Sequence, residues 1–260
     1  NFICSSVLSR QVLEAMDSEQ QEKLRQFLDW LQVNRVELRG CSIKCVGTKG
    51  LGVISSDIPS PPHNERVQLV VPLDLAITPM LVLQDPFVGP ECRAMFEVGQ
   101  VDDRLLIVLF LLLERLRKHS AWRPYIDMLP KTFGTPLWFT DGELLELKGT
   151  ALYQAAQLQK KQLRSLFNEK VECMLKKLLA KDGASKSEVY FEEFLWANSV
   201  FWTRAMNIPL PHSYVFPSNV DNNDNLAKDL NHGNIEKGDT VWVEGIIPGI
   251  DFCNHEAFRL

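Results

Sequence analysis

Ile246-Ile247-Pro248-Gly249-Ile250-Asp251-Phe252-Cys253-Asn254-His255 closes the last apolar run of the chain, and its reading governs the rest. A β-type segment stops at Pro248 and Gly249, and the polar side chains of Asp251, Asn254 and His255 follow at once. Loops at the exit of a rigid strand are where binding groups concentrate, and these three could present acceptors and donors to one ligand. Taken alone, the same residues also suit a turn capped by Asp and Asn with a surface His, since Asx residues are ordinary turn formers.

The surrounding composition narrows the class. Of 260 residues, 45% are hydrophobic and 23% charged, the balance of a soluble globular protein with a real core. The formal net charge is −5, and no Lys/Arg block rises above a solvated helix face, so no nucleic-acid footprint is expected. The longest apolar run, Leu105 to Leu113, is far short of the ~18–20 residues of a membrane span, so no membrane partner is expected either. Six scattered cysteines, Cys4, Cys41, Cys45, Cys92, Cys173 and Cys253, include one C-x-x-x-C without a nearby His or second pair. No metal site is expected from them, and a soluble, reducing intracellular setting is the default. The chain begins at Asn1, as a fragment or a processed form would. A transit peptide could already be gone, which leaves chloroplast, cytosol and nucleus all open.

Along the chain, Leu24, Phe27, Leu28 and Leu31 recur at helical spacing and predict an amphipathic helix over 18–31. Short β-type runs follow at 36–38, 42–46, 53–55 and 67–71, with Gly47-Thr48-Lys49-Gly50-Leu51-Gly52 as a hairpin-like connection. The middle is helical. Residues 103–118 are apolar on most faces and predict a buried helix. Residues 152–179 predict a long helix with Leu152, Ala155, Leu158, Leu166, Val171, Met174 and Leu178 on its apolar side, stopped by Asp182-Gly183. A further helix is expected over roughly 188–206, opened by capping-box spacing between Ser185 and Glu188. Phe194, Ala197, Phe201 and Arg204 share one face of it, so a guanidinium ends a face that is otherwise core. Arg204 could reach water, pair with a core acid, or meet an anionic ligand at the base of a cleft. The Asn-rich stretch 212–239 is too polar to order itself and reads as a mobile insert, after which 240–247 returns to β pattern.

Gly50-x-Gly52 lacks the third glycine and the following helix of a Rossmann fingerprint, and Gly47-Thr48-Lys49 lacks Walker spacing. As a strand–G-x-G–strand hairpin it instead resembles the first motif of SET domains. The run from Pro248 through Asp251 to Asn254-His255 resembles the P-x-x-D-x-x-N-H segment of the SET methyltransferases that include the Rubisco large-subunit lysine methyltransferases and the actin-histidine methyltransferase. The order of hairpin, helical insertion, helix ending in Arg, and Asn-His strand is also that family's. Trp122-x-Pro124-Tyr125, Thr135-Pro136-Leu137-Trp138-Phe139 and Leu195-Trp196-Ala197 are similar to its connecting stretches.

The resemblance implies an α+β SET fold of small twisted sheets with a large helical insertion. It divides the chain into an N-terminal helical segment (1–35), the first part of the SET domain (36–84), the helical insertion (85–211), a disordered insert (212–239) and the start of the C-terminal SET part (240–260). It implies an S-adenosylmethionine-dependent protein-lysine methyltransferase, of plant type, acting on a protein that presents a lysine. Gly50, Leu51 and Gly52 would pack against the cofactor, Arg204 would bind its carboxylate, Asn254 and His255 would hold it, and Asp251 would support that turn. Two departures stand out. Arg66, beside Glu65, occupies the place of a cofactor-contacting Glu, and the family's catalytic Tyr would lie beyond residue 260. On that reading the chain is incomplete and weakly active or inactive by itself. A non-catalytic SET-like interaction module and an unrelated helical scaffold are the competing readings.

Overall fold

The computed structural model describes residues 18–46, 50–55, 67–183, 189–216 and 240–254. Three two-stranded antiparallel sheets carry a large helical insertion between them. Helix α1 (Ser18–Val33) comes first and buries Phe27 and Leu31 on the face that the leucine spacing predicts. Strands β1 (Glu37–Leu38), β2 (Cys41–Cys45), β3 (Leu51–Ser55) and β4 (Leu69–Val70) follow. β2 and β3 pair as the expected hairpin, from Cys45 opposite Leu51 to Cys41 opposite Ser55. β1 pairs with β4.

The insertion begins with α2 (Pro79–Gln84) and α3 (Gly89–Glu97). Its centre is α4 (Asp103–Leu116), where every side chain from Leu105 to Glu114 is buried. That all-round burial is what an apolar helix without a polar face requires. The short α5 (Arg123–Ile126) and α6 (Asp141–Glu146) lead to α7 (Ala151–Leu166), a π-turn at Phe167–Val171, and α8 (Glu172–Lys181). The long helix expected over 152–179 is therefore one helical path with a π-bulge in it. Its apolar face is another matter: Leu166, Val171, Met174 and Leu178 face the core or its margin, but Leu152, Ala155 and Leu158 are exposed, and Ala156 is the buried residue of α7. The main core reaches only the last turns of α7, at Leu163 and Leu166, so the apolar spacing of Leu152, Ala155 and Leu158 meets no core surface. Gly183, with φ of +68°, ends the path as expected.

Helix α9 (Phe191–Arg204) packs on α4 and buries all residues from Phe191 to Phe201 except the exposed Glu192 and the partly exposed Glu193. The capping pair Ser185 and Glu188 lies outside the described residues. Two differences from the expected layout follow α9. The last six positions of the segment expected to be helical form strand β5 (Met206–Pro211), and His212–Val215, expected to be unstructured, forms the short helix α10. β5 pairs antiparallel with β6 (Thr240–Gly245), from Met206 opposite Gly245 to Pro211 opposite Thr240. Just beyond β6, Ile246 exchanges both backbone hydrogen bonds with Ile77. The first and last β regions thus meet in space, with the helical insertion leaving from and returning to that junction.

Candidate functional site

Strand β6 delivers the chain to a tight turn. Gly249 has φ of +95°, a backbone region that L side chains rarely adopt, and its N–H donates to Asp251 Oδ1 at 3.0 Å. A single 3-10 turn, Ile250–Phe252, follows and packs against β3. The Asp251 side chain is fully buried there.

Three donors converge on that carboxylate. Arg204 Nη1 donates to Asp251 Oδ2 at 2.8 Å and to its backbone O at 3.0 Å, and the Tyr125 hydroxyl donates to Oδ2 at 2.9 Å. Burial pushes the Asp251 carboxyl above its ordinary value, while the Arg204 guanidinium, the Tyr125 hydroxyl and the Gly249 N–H pull the other way. Tyr125 is raised well above the usual phenol value, first by burial and then by the neighbouring carboxylate. The guanidinium of Arg204 also lies over the Phe252 ring, 4.7 Å from its centroid. Phe27, Trp30, Tyr125 and Phe252 form an aromatic cluster with centroid separations from 5.3 to 6.4 Å, which fixes the turn against α1 and α5.

Of the readings left open for Arg204, pairing with a core acid is the one observed, yet the pair is not saturated. Among the described residues, Nε and Nη2 of the guanidinium have no hydrogen-bond partner, and the side chain keeps 15% exposure. That edge presents two parallel N–H donors, the arrangement that a carboxylate accepts side-on.

Gly52 lies against Asn254. A Cβ at Gly52 would come within 2.5 Å of Asn254 Nδ2 and 2.8 Å of Val46 Cγ2, so the hairpin can meet the Asn segment only through glycine. Gly50, with φ of +76°, turns the hairpin, and its carbonyl accepts from Val46 N at 2.6 Å. Leu51 packs against the core. Gly52 is therefore brought to Asn254, with Gly50 and Leu51 preceding it on the same hairpin, and Asn254 lies three residues past the Asp251–Arg204 pair. His255, Glu65 and Arg66 lie outside the described residues. Tyr125 was noted only within a connecting stretch; the aromatic-proline run Trp122-x-Pro124-Tyr125 was its one signal in the sequence. No group of three or more His, Cys, Asp or Glu able to hold a metal occurs among the described residues. A surface cavity of about 510 Å³ along Tyr153 and Arg164 lies on the helical insertion.

Comparison with known proteins fits this architecture. No family profile matches the chain. The [fructose-bisphosphate aldolase]-lysine N-methyltransferase, chloroplastic, of Arabidopsis thaliana is 31% identical over 198 residues, 75% of this chain and 38% of that protein. The Rubisco large-subunit N-methyltransferase of Pisum sativum is 27% identical over 187 residues, 70% of this chain and 35% of that one. The actin-histidine N-methyltransferase of Canis lupus familiaris is 26% identical over 245 residues, 92% and 35% of the two chains. The crystal structure of the SET domain of LSMT bound to lysine and AdoHcy superposes with a TM-score of 0.63 at 22% identity, covering 91% of this chain and 44% of that one. A second structure of that domain, bound to methyl-lysine and AdoHcy, gives 0.56 at 26% identity over 71% and 40%.

The fold is a SET domain with a helical insertion. Within that class, the chain is a relative of the lysine methyltransferases of the Rubisco large-subunit group, and it spans 38% and 35% of the length of the first two relatives named.

Proposed function

We propose that this chain supplies the cofactor-holding part of an S-adenosylmethionine-dependent protein-lysine N-methyltransferase of SET type. The observation that carries the reading is Arg204: it is held by the buried Asp251 through Nη1 alone and keeps two parallel donors without a partner among the described residues, and Asp251 lies three residues before Asn254, which meets Gly52. Those donors would take the carboxylate of the cofactor's methionyl group. Gly50, Leu51, Gly52 and Asn254 would form the adjoining wall, with Asp251 and Tyr125 positioning Arg204 and the turn. His255, next in the Asn-His motif, would join them. Bound there, the cofactor would supply an electrophilic methyl group on a sulfonium.

The substrate would be a protein presenting a lysine side chain. A lysine of pKa ~10.4 is under about 1% neutral at pH 8, a deficit of roughly 3 kcal/mol that desolvation and the nearby positive sulfur would offset. Relatives named for aldolase, Rubisco and actin differ in target protein, so the class of side chain is proposed here rather than the protein that bears it. Two of the named relatives are described as chloroplastic, and a plastid setting is proposed on that basis.

Calorimetric titration of S-adenosylmethionine tests the reading. Arg204→Ala should weaken binding by roughly 10- to 150-fold, the loss of about 1.5–3 kcal/mol for a charge-assisted hydrogen bond. Arg204→Lys keeps a cation for Asp251 but loses the two-donor edge, and it should also bind weakly while remaining folded by circular dichroism. Unchanged affinity in folded Arg204→Lys would remove that edge from the site.

A further inference from the structure

The exposed half of α7 forms one wall of a groove. Leu152, Ala155 and Ala156 face the start of the connector at Thr135–Leu137 and the outer side of α9 at Asn198, Trp202 and Thr203, enclosing about 320 Å³. Small-molecule pockets begin at about this size and are mostly apolar with a few placed polar groups. No charged side chain lines the groove. Leu152 and Trp202 are 50% and 58% exposed, unusual for large apolar residues on facing helices.

Two polar atoms on its walls lack partners. Asn198 is 8% exposed in the middle of α9, and its Oδ1 has no hydrogen bond; Thr135 Oγ1 is likewise buried and unpaired. Of the other polar residues that line it, Ser199 Oγ accepts from Trp138 Nε1 and donates to Leu195 O, Thr203 Oγ1 donates to Ser199 O, and Gln159 is exposed to water. Nearly all buried polar atoms in folded proteins find partners, so two orphans on one groove ask for a ligand that supplies them.

We propose that this groove binds a neutral, largely apolar small molecule carrying a group that both gives and takes a hydrogen bond, such as an aryl amide. The ring would lie between Leu152, Ala155 and Trp202. The amide N–H would donate to Asn198 Oδ1, and its carbonyl would accept from the Thr135 hydroxyl, the second role open to that group. An anion gains little, because Arg104, the cation over the Trp202 ring, is already paired with Glu244 and no charged side chain lines the groove itself, and a hydrocarbon leaves both orphans unpaired. Arg204 does not line the groove, and the groove does not depend on the proposed methyl transfer.

The test uses the 260-residue chain and three probes of similar size: benzamide, benzoate and toluene. The readout is the indole N–H resonance of Trp202, assigned with Trp202→Phe. Benzamide should shift it saturably, benzoate should not, and toluene should act more weakly. Asn198→Leu should weaken benzamide by roughly tenfold and strengthen toluene. Thr135→Val, at the groove's other wall, should weaken benzamide without touching the α9 core. No saturable shift with benzamide, or equal shifts in both folded variants, would overturn the proposal. So would Trp202 shifts that track protein concentration in the absence of probe, which would mean that a second copy of the chain covers the groove.

Discussion

Two buried carboxylates, one in the helical insertion and one at the strand exit, are built from the same parts. Glu114 on α4 accepts from Arg117 Nη1 at 2.7 Å and from the Ser120 hydroxyl at 2.5 Å. Asp251 accepts from Arg204 Nη1 and from the Tyr125 hydroxyl. Burial raises both acids, and an arginine opposes the shift in each case. The difference lies in what the arginine has left. Arg117 also pairs with Asp182 through Nε at 3.4 Å and covers the Phe87 ring, and Asp182 further accepts from the Lys118 N–H. That network is local, engages two of the three guanidinium nitrogens and ties the ends of α4 and α8 together. Arg204 spends one nitrogen on an acid 47 residues away and keeps Nε and Nη2 without a partner among the described residues. The more fully engaged pair serves the fold, and the less engaged one, at the junction of distant segments, is the one proposed for binding.

The largest effects expected are those that break either pair. Asp251→Ala strands Arg204 and the Tyr125 hydroxyl together, and Glu114→Ala strands Arg117 and Ser120. Removing one partner of a buried ion pair costs about 3–5 kcal/mol, so both should lower the urea midpoint steeply. If the contrast is right, only Asp251→Ala should also abolish S-adenosylmethionine binding in whatever fraction stays folded. A Glu114 variant that loses binding as completely would show that the two networks are not separable.

Next come the hydroxyl donors. Tyr125→Phe keeps the aromatic cluster with Phe27, Trp30 and Phe252 but removes one hydrogen bond to Asp251, and Ser120→Ala does the same to Glu114. Each should cost about 1–2 kcal/mol by chemical unfolding. Tyr125→Phe alone should shift cofactor affinity, because it loosens the carboxylate that orients Arg204.

How far these features were legible in sequence depended on how local their causes are. The β2–β3 hairpin, β6 and the buried α4 follow from periodicity and glycine placement alone. β5 did not, because Pro209 and Pro211 argue against a strand. In the structure both prolines point outward on a two-stranded ribbon, while Ile208 and Leu210 point in. The misplaced stripe of α7 has a different origin: the main core reaches only its last turns, at Leu163 and Leu166, and spacing within a helix does not tell how far along it the packing partner extends. At the candidate site, the glycines, Arg204, Asp251 and Asn254 are expected from the resemblance, and the structure brings Arg204 to Asp251 and Gly52 to Asn254. The partnership of Arg204 with Asp251 was open from sequence. Tyr125, 126 residues from the acid it serves, had no periodic or spacing signal at all.

Alkaline pH probes both regions at once. Burial pushes the Cys92 thiol, on α3, up to about 12 and holds Tyr125 well above its ordinary value. In the unfolded chain these groups titrate near 8.5 and 10, so between those values and the folded ones the native state binds more protons. Stability must therefore fall as pH rises through that window, by ~1.4 kcal/mol per pH unit for each proton involved. Unfolding free energies at pH 8 and 11 measure the slope. Tyr125→Phe should remove the part that begins near pH 10 and leave the earlier part, which belongs to the thiols.

The smallest effect is expected at a third acid–arginine pair, and it completes the series. Arg104 on α4 reaches Glu244 on β6, with Nε–Oε2 at 2.5 Å, and so connects insertion to strand as Arg204 connects helix to turn. Unlike the other two pairs it lies in water: Arg104 is 50% and Glu244 36% exposed. Solvent screens the attraction, and holding two long side chains in one geometry costs entropy that offsets most of the gain. Glu244→Gln should change the unfolding free energy by under about 1 kcal/mol, and less still at high salt. A loss comparable with that of Asp251→Ala would mean that the β5–β6 ribbon is held to the insertion by charge rather than by the packing of Ile208, Leu210 and Val243. Burial would then have been the wrong criterion for ranking the three pairs.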